Sequence, residues 1–200
     1  IMNKKIYLLK TFGMVLIAST LILGTACGKK KKLAEKNAPP AGETAIKEYC
    51  SGDEFFSDKK YFRANALGES SDQATAKKKA MANARADLAS SLQTTIKGVI
   101  DNYVNSREFN NREEIEERFE GLTREVIDQN LSGVKTICSQ PVQVNATGAF
   151  KYYVAIELSG ADIAADYNER ITKDERLKID YDYEKFRAIF DQEMDERSKR

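Results

Sequence analysis

The chain has 200 residues, of which 32 are Lys or Arg and 31 are Asp or Glu, so its formal net charge at pH 7 is +1. It contains no His, which excludes an imidazole general base, a Ser-His-Asp or Cys-His relay and a His-ligated metal. There is also no Gly-rich phosphate loop and no paired-cysteine metal motif. The sequence therefore predicts a protein that is not an enzyme, holds no cofactor or metal, and does not bind nucleic acid.

The first 26 residues are predicted to be a lipoprotein signal peptide. Three lysines precede an apolar segment over 13–24, which is shorter than a membrane-spanning helix normally needs. Small residues then lead to Cys27, before which the chain would be cut and to which lipid would be attached. An ordinary secretory signal and a permanent membrane anchor are the alternatives. Because Gly28 is not acidic, the usual sorting logic favours the outer membrane over the inner one.

A flexible tether is predicted over 27–45. It contains four consecutive lysines at 29–32 and lacks apolar periodicity. These lysines would lie against anionic headgroups, or would simply raise solubility. We expect the protein to be attached to the membrane through Cys27. The rest of the chain is divided into an α+β domain over 46–173 and a charged C-terminal helix over 174–200.

Two cysteines remain after the predicted lipidation site. Cys50 precedes the first predicted strand, and Cys138 lies within a later one. An oxidising envelope would permit a disulfide between them. Two unpaired, partly buried thiols are the alternative, because a sequence gives no distance between them.

The folded part begins with a strand and a long helix. Alternation predicts a strand over 60–67 that Gly68 ends, and the spacing of Ser70 and Gln73 indicates a capping box. An alanine-rich helix is predicted over about 71–103, since apolar residues recur there at steps of three or four. Such a helix of small residues can lie close to a sheet.

The remaining elements complete a strand, helix, helix, strand, strand, helix, helix order. A second helix is predicted over 112–130. A strand is then predicted over about 134–144, where apolar residues alternate across Pro141, which indicates a sheet edge or a bulge. A hairpin turn then leads to the clearest strand, over 150–158. We predict an α+β fold, in which one face of an antiparallel or mixed sheet of about three strands is covered by the long helix.

The last part of the chain is predicted to be helical. Ser159 and Asp162 indicate a helix start, and a final charged helix over about 174–197 carries a thin apolar stripe. That stripe would pack on its own domain, or alternatively bind an envelope protein or a second copy of the chain.

The stretch 62–103 resembles a known pattern. A strand leads into Gly68-Glu69-Ser70-Ser71, and the following helix contains Ala84-Arg85 and Leu88-Ala89. This is similar to the LPP-twenty-like family of bacterial envelope lipoproteins. The resemblance implies a lipoprotein with a small α+β domain and supplies no catalytic residues. Arg85 would bind a ligand or form a structural ion pair.

Two classes of function follow from these observations. The first is a lipid-anchored envelope protein with a binding or structural domain. The second is a small-ligand carrier, or an enzyme that uses carboxylates and tyrosines, with a pocket lined by residues such as Tyr152, Tyr153, Tyr181 and Tyr183.

Overall fold

The computed structural model describes residues 42–44 and 46–199. The chain divides into two units, Ile1–Ile46 and Lys47–Arg200. The predicted signal peptide, the predicted lipidation site Cys27 and nearly all of the predicted tether lie outside the described residues. In the part of the chain that is described, no helix is both long and apolar enough to cross a bilayer.

The second unit contains three strands and four α-helices. In chain order these are β1 (Tyr61–Ser70), α1 (Gln73–Asn105), α2 (Arg112–Ser132), β2 (Lys135–Gln143), β3 (Phe150–Ser159), α3 (Gly160–Lys173) and α4 (Tyr183–Arg197). Short 3-10 turns lie at Asp53–Phe55 and Leu177–Ile179.

The three strands form one antiparallel sheet in the order β1-β3-β2, so the predicted α+β fold is confirmed. The strand predicted around Pro141 is β2, and its pairing with β3 has an irregularity between Thr136 and Cys138. β2 is an edge strand. Pro141 has no backbone N–H to donate. An edge strand accommodates it, because a residue whose backbone N–H would point away from the sheet makes no hydrogen bond to a neighbouring strand.

Gly68 does not end the first strand, as the sequence had indicated. β1 continues through Gly68 to Ser70. A glycine stands at this position because the backbone of α1 passes close to the strand there. A Cβ atom at Gly68 would lie 2.2 Å from the carbonyl oxygen of Ala76 and 2.4 Å from the amide nitrogen of Ala80. The predicted capping box is also wrong: α1 is capped by Asp72, which accepts a hydrogen bond from the backbone N–H of Thr75.

Helix α1 joins the sheet to the other helices. It has 33 residues, which corresponds to a length of about 50 Å. Its first half presents buried alanines (Ala76, Ala80 and Ala84) to the sheet, and its second half presents larger buried side chains such as Leu92 and Tyr103. The apolar stripe predicted for this helix is buried, apart from the partly exposed Met81.

The final helix is shorter than predicted, because Asp174 starts a turn rather than a helix. Its carboxylate accepts hydrogen bonds from the backbone N–H groups of Arg176 and Leu177 and from Arg118. Burial alone would raise the pKa of Asp174, but these donors outweigh it and hold the pKa below its ordinary value. Helix α4 therefore begins only at Tyr183.

The apolar stripe of α4 packs on its own domain, which was the first of the alternatives considered. Phe186, Phe190 and Met194 are each no more than 2 % exposed and belong to the same core as the sheet and α1. The Phe186 ring lies 5.6 Å from that of Tyr103, measured between centroids. This stripe is therefore not available to a partner.

Candidate functional site

The segment 47–60, called the strap below, crosses the face of the sheet that α1 leaves uncovered. It begins beside Tyr153 of β3, whose ring centroid lies 5.6 Å from that of Tyr49. It ends beside β1, where the hydroxyl of Ser57 accepts the N–H of Arg63 and donates to its carbonyl oxygen. Ala155, on this face of β3, is completely buried. The strap thus covers the second face of the sheet.

A disulfide fixes the strap to the edge strand. Cys50 is bonded to Cys138, with a Cα–Cα distance of 5.6 Å, so the predicted disulfide is confirmed. Cys50 is 5 % exposed and has a φ of +57°, in the left-handed region that non-glycine residues rarely adopt. The bond closes a loop with a sequence separation of 88, which contains β1, α1 and α2.

A cluster of charges lies beneath the strap. The Glu157 carboxylate accepts hydrogen bonds from Arg63 Nε and from Lys135 Nζ, both at 3.1 Å. Arg63 also donates to Asp58 Oδ2 at 2.7 Å and to the Phe56 carbonyl oxygen at 3.0 Å. Only 11 % of the Glu157 side chain and 14 % of the Arg63 side chain are exposed. These contacts join all three strands to the strap.

The electrostatics of this cluster favour its charged form. Burial alone would raise the pKa of Asp58, but hydrogen bonds from the backbone N–H groups of Lys60 and Tyr61 and from Arg63 hold it below its ordinary value. Burial alone would lower the pKa of Arg63, and its two carboxylate partners raise it instead. Every charge is thus compensated by a neighbour, which suits a structural clamp.

A shallow cleft of about 590 Å³ lies beside the strap. Its lining combines the exposed ring of Phe56 with hydroxyl groups and guanidinium groups from β1, α1 and the end of α4, namely Ser57, Arg63, Ser91, Thr94, Arg197 and Ser198. Two further clefts, of about 440 and 400 Å³, lie along α2. None of these three clefts is lined by a tyrosine.

The tyrosines considered for a pocket do not converge. Tyr152 is buried on the α1 side of β3, Tyr153 lies on the strap side, and Tyr181 packs against Tyr103. Tyr183 lies at the exposed start of α4. Burial raises the pKa of Tyr181, so its hydroxyl stays neutral and does not serve as a base near neutral pH. This arrangement gives no support to tyrosine-based catalysis.

Arg85, the other predicted site residue, is exposed on α1. Its guanidinium forms no ion pair or hydrogen bond with any residue within 42–44 and 46–199. The structural ion pair considered for Arg85 is therefore not formed there. Over the same residues, no group of three or more His, Cys, Asp or Glu is placed to hold a metal ion.

Sequence reasoning missed the charge cluster, because nothing in the sequence distinguishes its members. Arg63 and Glu157 fall on the less apolar side of two alternating strands, where charges normally face water, and they stand 94 residues apart. No protein-family model, curated protein or solved structure matches the chain.

Proposed function

We propose that this chain is a lipid-anchored lipoprotein of the bacterial envelope, with a domain that binds or supports other envelope components rather than catalysing a reaction. The observation that carries the proposal is the disulfide between Cys50 and Cys138. Structural disulfides persist in oxidising compartments and are rare in the cytosol. The signal-like segment that ends at Cys27 supplies a route to such a compartment.

The anchor would hold the domain close to the membrane. Each buried methylene of an acyl chain contributes about 0.8 kcal/mol, so several chains on Cys27 would attach the protein firmly. Only 19 residues, at positions 28–46, separate Cys27 from the strap, and a chain of that length spans at most roughly 70 Å. The resemblance to the LPP-twenty-like family and the neutral residue Gly28 favour the outer membrane as the location.

Acylation of Cys27 is the decisive test. The full chain is expressed in a bacterium, membranes are washed at alkaline pH, and the mass of the mature protein is measured. We expect the wild type to stay in the membrane fraction with acyl chains on Cys27, and the Cys27→Ala variant to lack them. A matched control replaces Cys50 and Cys138 with Ser, which leaves the lipidation site intact. An unmodified Cys27 in the membrane-bound wild type would refute the proposal.

A further inference from the structure

Charge is distributed unevenly between two neighbouring helices. Helix α1 carries five basic and two acidic residues, a net charge of +3. Helix α2 carries three basic and seven acidic residues, a net charge of −4. Four of the cations of α1 lie in its first four turns and are exposed, and they define the basic surface: Lys77, Lys78, Lys79 and Arg85.

The positive charge of this surface is only partly compensated. Lys77, Lys78 and Arg85 form no salt bridge with the described part of the chain, although Asp72 attracts Lys78 electrostatically. Lys77 Nζ lies 5.8 Å from the centroid of the Tyr152 ring. Lys79 Nζ donates to the uncharged backbone carbonyl oxygen of Glu69 at 3.1 Å. Exposed cations that outnumber the carboxylates near them attract an anionic surface.

The basic surface lies at the end of the domain where the strap begins. Tyr152 and Tyr153 are consecutive residues of β3, so their side chains point to opposite faces of the sheet. Lys77 lies over Tyr152 on one face, and Tyr49 lies against Tyr153 on the other. The basic turns of α1 and the first residues of the strap are therefore at the same level of the sheet.

We propose that the basic surface binds the anionic headgroups of the leaflet in which Cys27 is anchored. The proposal rests on the proposed function, because the lipid anchor brings the surface to the membrane. Because the anchor and the surface belong to one chain, with 19 residues between Cys27 and the strap, the contact is intramolecular and weak binding suffices. The acidic helix α2 is repelled by the same leaflet, and the domain therefore takes one preferred orientation.

Footprinting of lysines tests the contact in the lipidated protein. The protein is reconstituted in vesicles of pure phosphatidylcholine or of phosphatidylcholine with phosphatidylglycerol, and labelled with an amine reagent that does not cross membranes. Labelling of Lys77 and Lys78 is compared by mass spectrometry with that of Lys97 and Lys178, which are exposed in other parts of the domain. We expect several-fold slower labelling of the first pair in anionic vesicles. About 0.5 M salt should remove the difference.

A pair of matched variants separates this contact from general charge effects. Each cation near an anionic surface strengthens binding by roughly fivefold, so replacing Lys77 and Lys78 with Ala should weaken the contact by about 30-fold. Lys79, the lysine of the surface that remains, should then be labelled as fast in anionic vesicles as in vesicles of pure phosphatidylcholine. Replacement of Lys97 and Lys178 with Ala removes the same charge elsewhere and should leave Lys79 protected.

Equal labelling of Lys77 and Lys78 in the two kinds of vesicle would overturn the inference. Protection that rises with protein density in pure phosphatidylcholine would also overturn it, since the partner would then be a second copy of the chain. An absence of acyl chains on Cys27 would defeat the proposed function itself. Acylated protein whose lysines show no dependence on lipid charge would defeat only the inference about the surface.

Discussion

Replacement of Gly68 by Ala tests the contact between the sheet and α1 directly. The added Cβ would lie 2.2 Å from a carbonyl oxygen and 2.4 Å from an amide nitrogen of the helix backbone. An ordinary C···O contact is about 3.3 Å or longer. Because both neighbouring atoms belong to the backbone, no side chain can rotate away. The strand and the helix must therefore separate by roughly 1 Å at this point.

The expected cost follows from the loss of close packing. A gap of about 0.5–1 Å forfeits a quarter to a half of the dispersion energy of each contact, and overpacked sites typically cost about 1–3 kcal/mol. Ala also lowers the conformational entropy of the unfolded chain relative to Gly, and this offsets the loss of stability by about 0.4–1 kcal/mol. We expect Gly68→Ala to lower the free energy of unfolding by about 2 kcal/mol, and Gly68→Val to lower it further.

Unfolding in urea, followed by circular dichroism, measures this change. The matched control is Gly121→Ala, an exposed position of α2 where a Cβ meets nothing within 4 Å. There the greater helix propensity of Ala should stabilise the protein by up to about 1 kcal/mol. Equal urea midpoints for Gly68→Ala and wild type would refute the close approach of β1 to α1.

Three further predictions concern the strap and the charged groups. Reduction, or replacement of Cys50 and Cys138 by Ser, should lower the free energy of unfolding by about 4–5 kcal/mol on the chain-entropy model, measured in urea with and without reductant. Glu157→Ala removes one of the two carboxylate partners of the largely buried Arg63 and leaves Asp58 in place, so it should cost about 2 kcal/mol, the value of a hydrogen bond to a charged group, in the same assay. Asp174 has a lowered pKa in the folded state, so its contribution is fully present above its ordinary pKa of about 4 and is lost as the pH falls through the lower folded value. Asp174→Asn should therefore destabilise the protein near neutral pH, and thermal melting curves of variant and wild type should converge in acid, once the pH is below the lowered pKa of the carboxyl group.

Equal stability of the reduced and oxidised protein would contradict the disulfide. A Glu157→Ala variant that is as stable as the wild type would contradict the burial of the ion pair. A difference between Asp174→Asn and wild type that persists unchanged into strong acid would contradict the lowered pKa of the carboxyl group.

The regular elements could be predicted because their signals are local. Alternation identified β3, the spacing of alanines identified α1, and Ser159 does cap α3 by accepting the N–H of Asp162. The errors came from tertiary contacts. Gly68 is present because a helix backbone passes close to it, and a sequence pattern cannot distinguish that role from a chain break.

The candidate site was less predictable, since its parts come together over long separations. The disulfide was expected as a possibility, but the strap that it fastens has no periodicity of its own. The salt bridge between Arg63 and Glu157 depends on the register of β1 and β3, which places these two residues opposite each other. Register follows from the packing of the whole sheet.

The two ends of the strap are held by different interactions, and this determines what the disulfide can control. The first end depends on Cys50 and on the contact of Tyr49 with Tyr153. The second end is held by two hydrogen bonds between the Ser57 hydroxyl and the backbone of Arg63, and by the Arg63–Asp58 pair. Reduction should therefore release only the first end of the strap, up to about residue 56. The second end should stay in place, because its hydrogen bonds and its ion pair do not depend on the cysteines. The disulfide therefore governs the position of the first half of the strap, and the Arg63–Asp58 pair governs that of the second half.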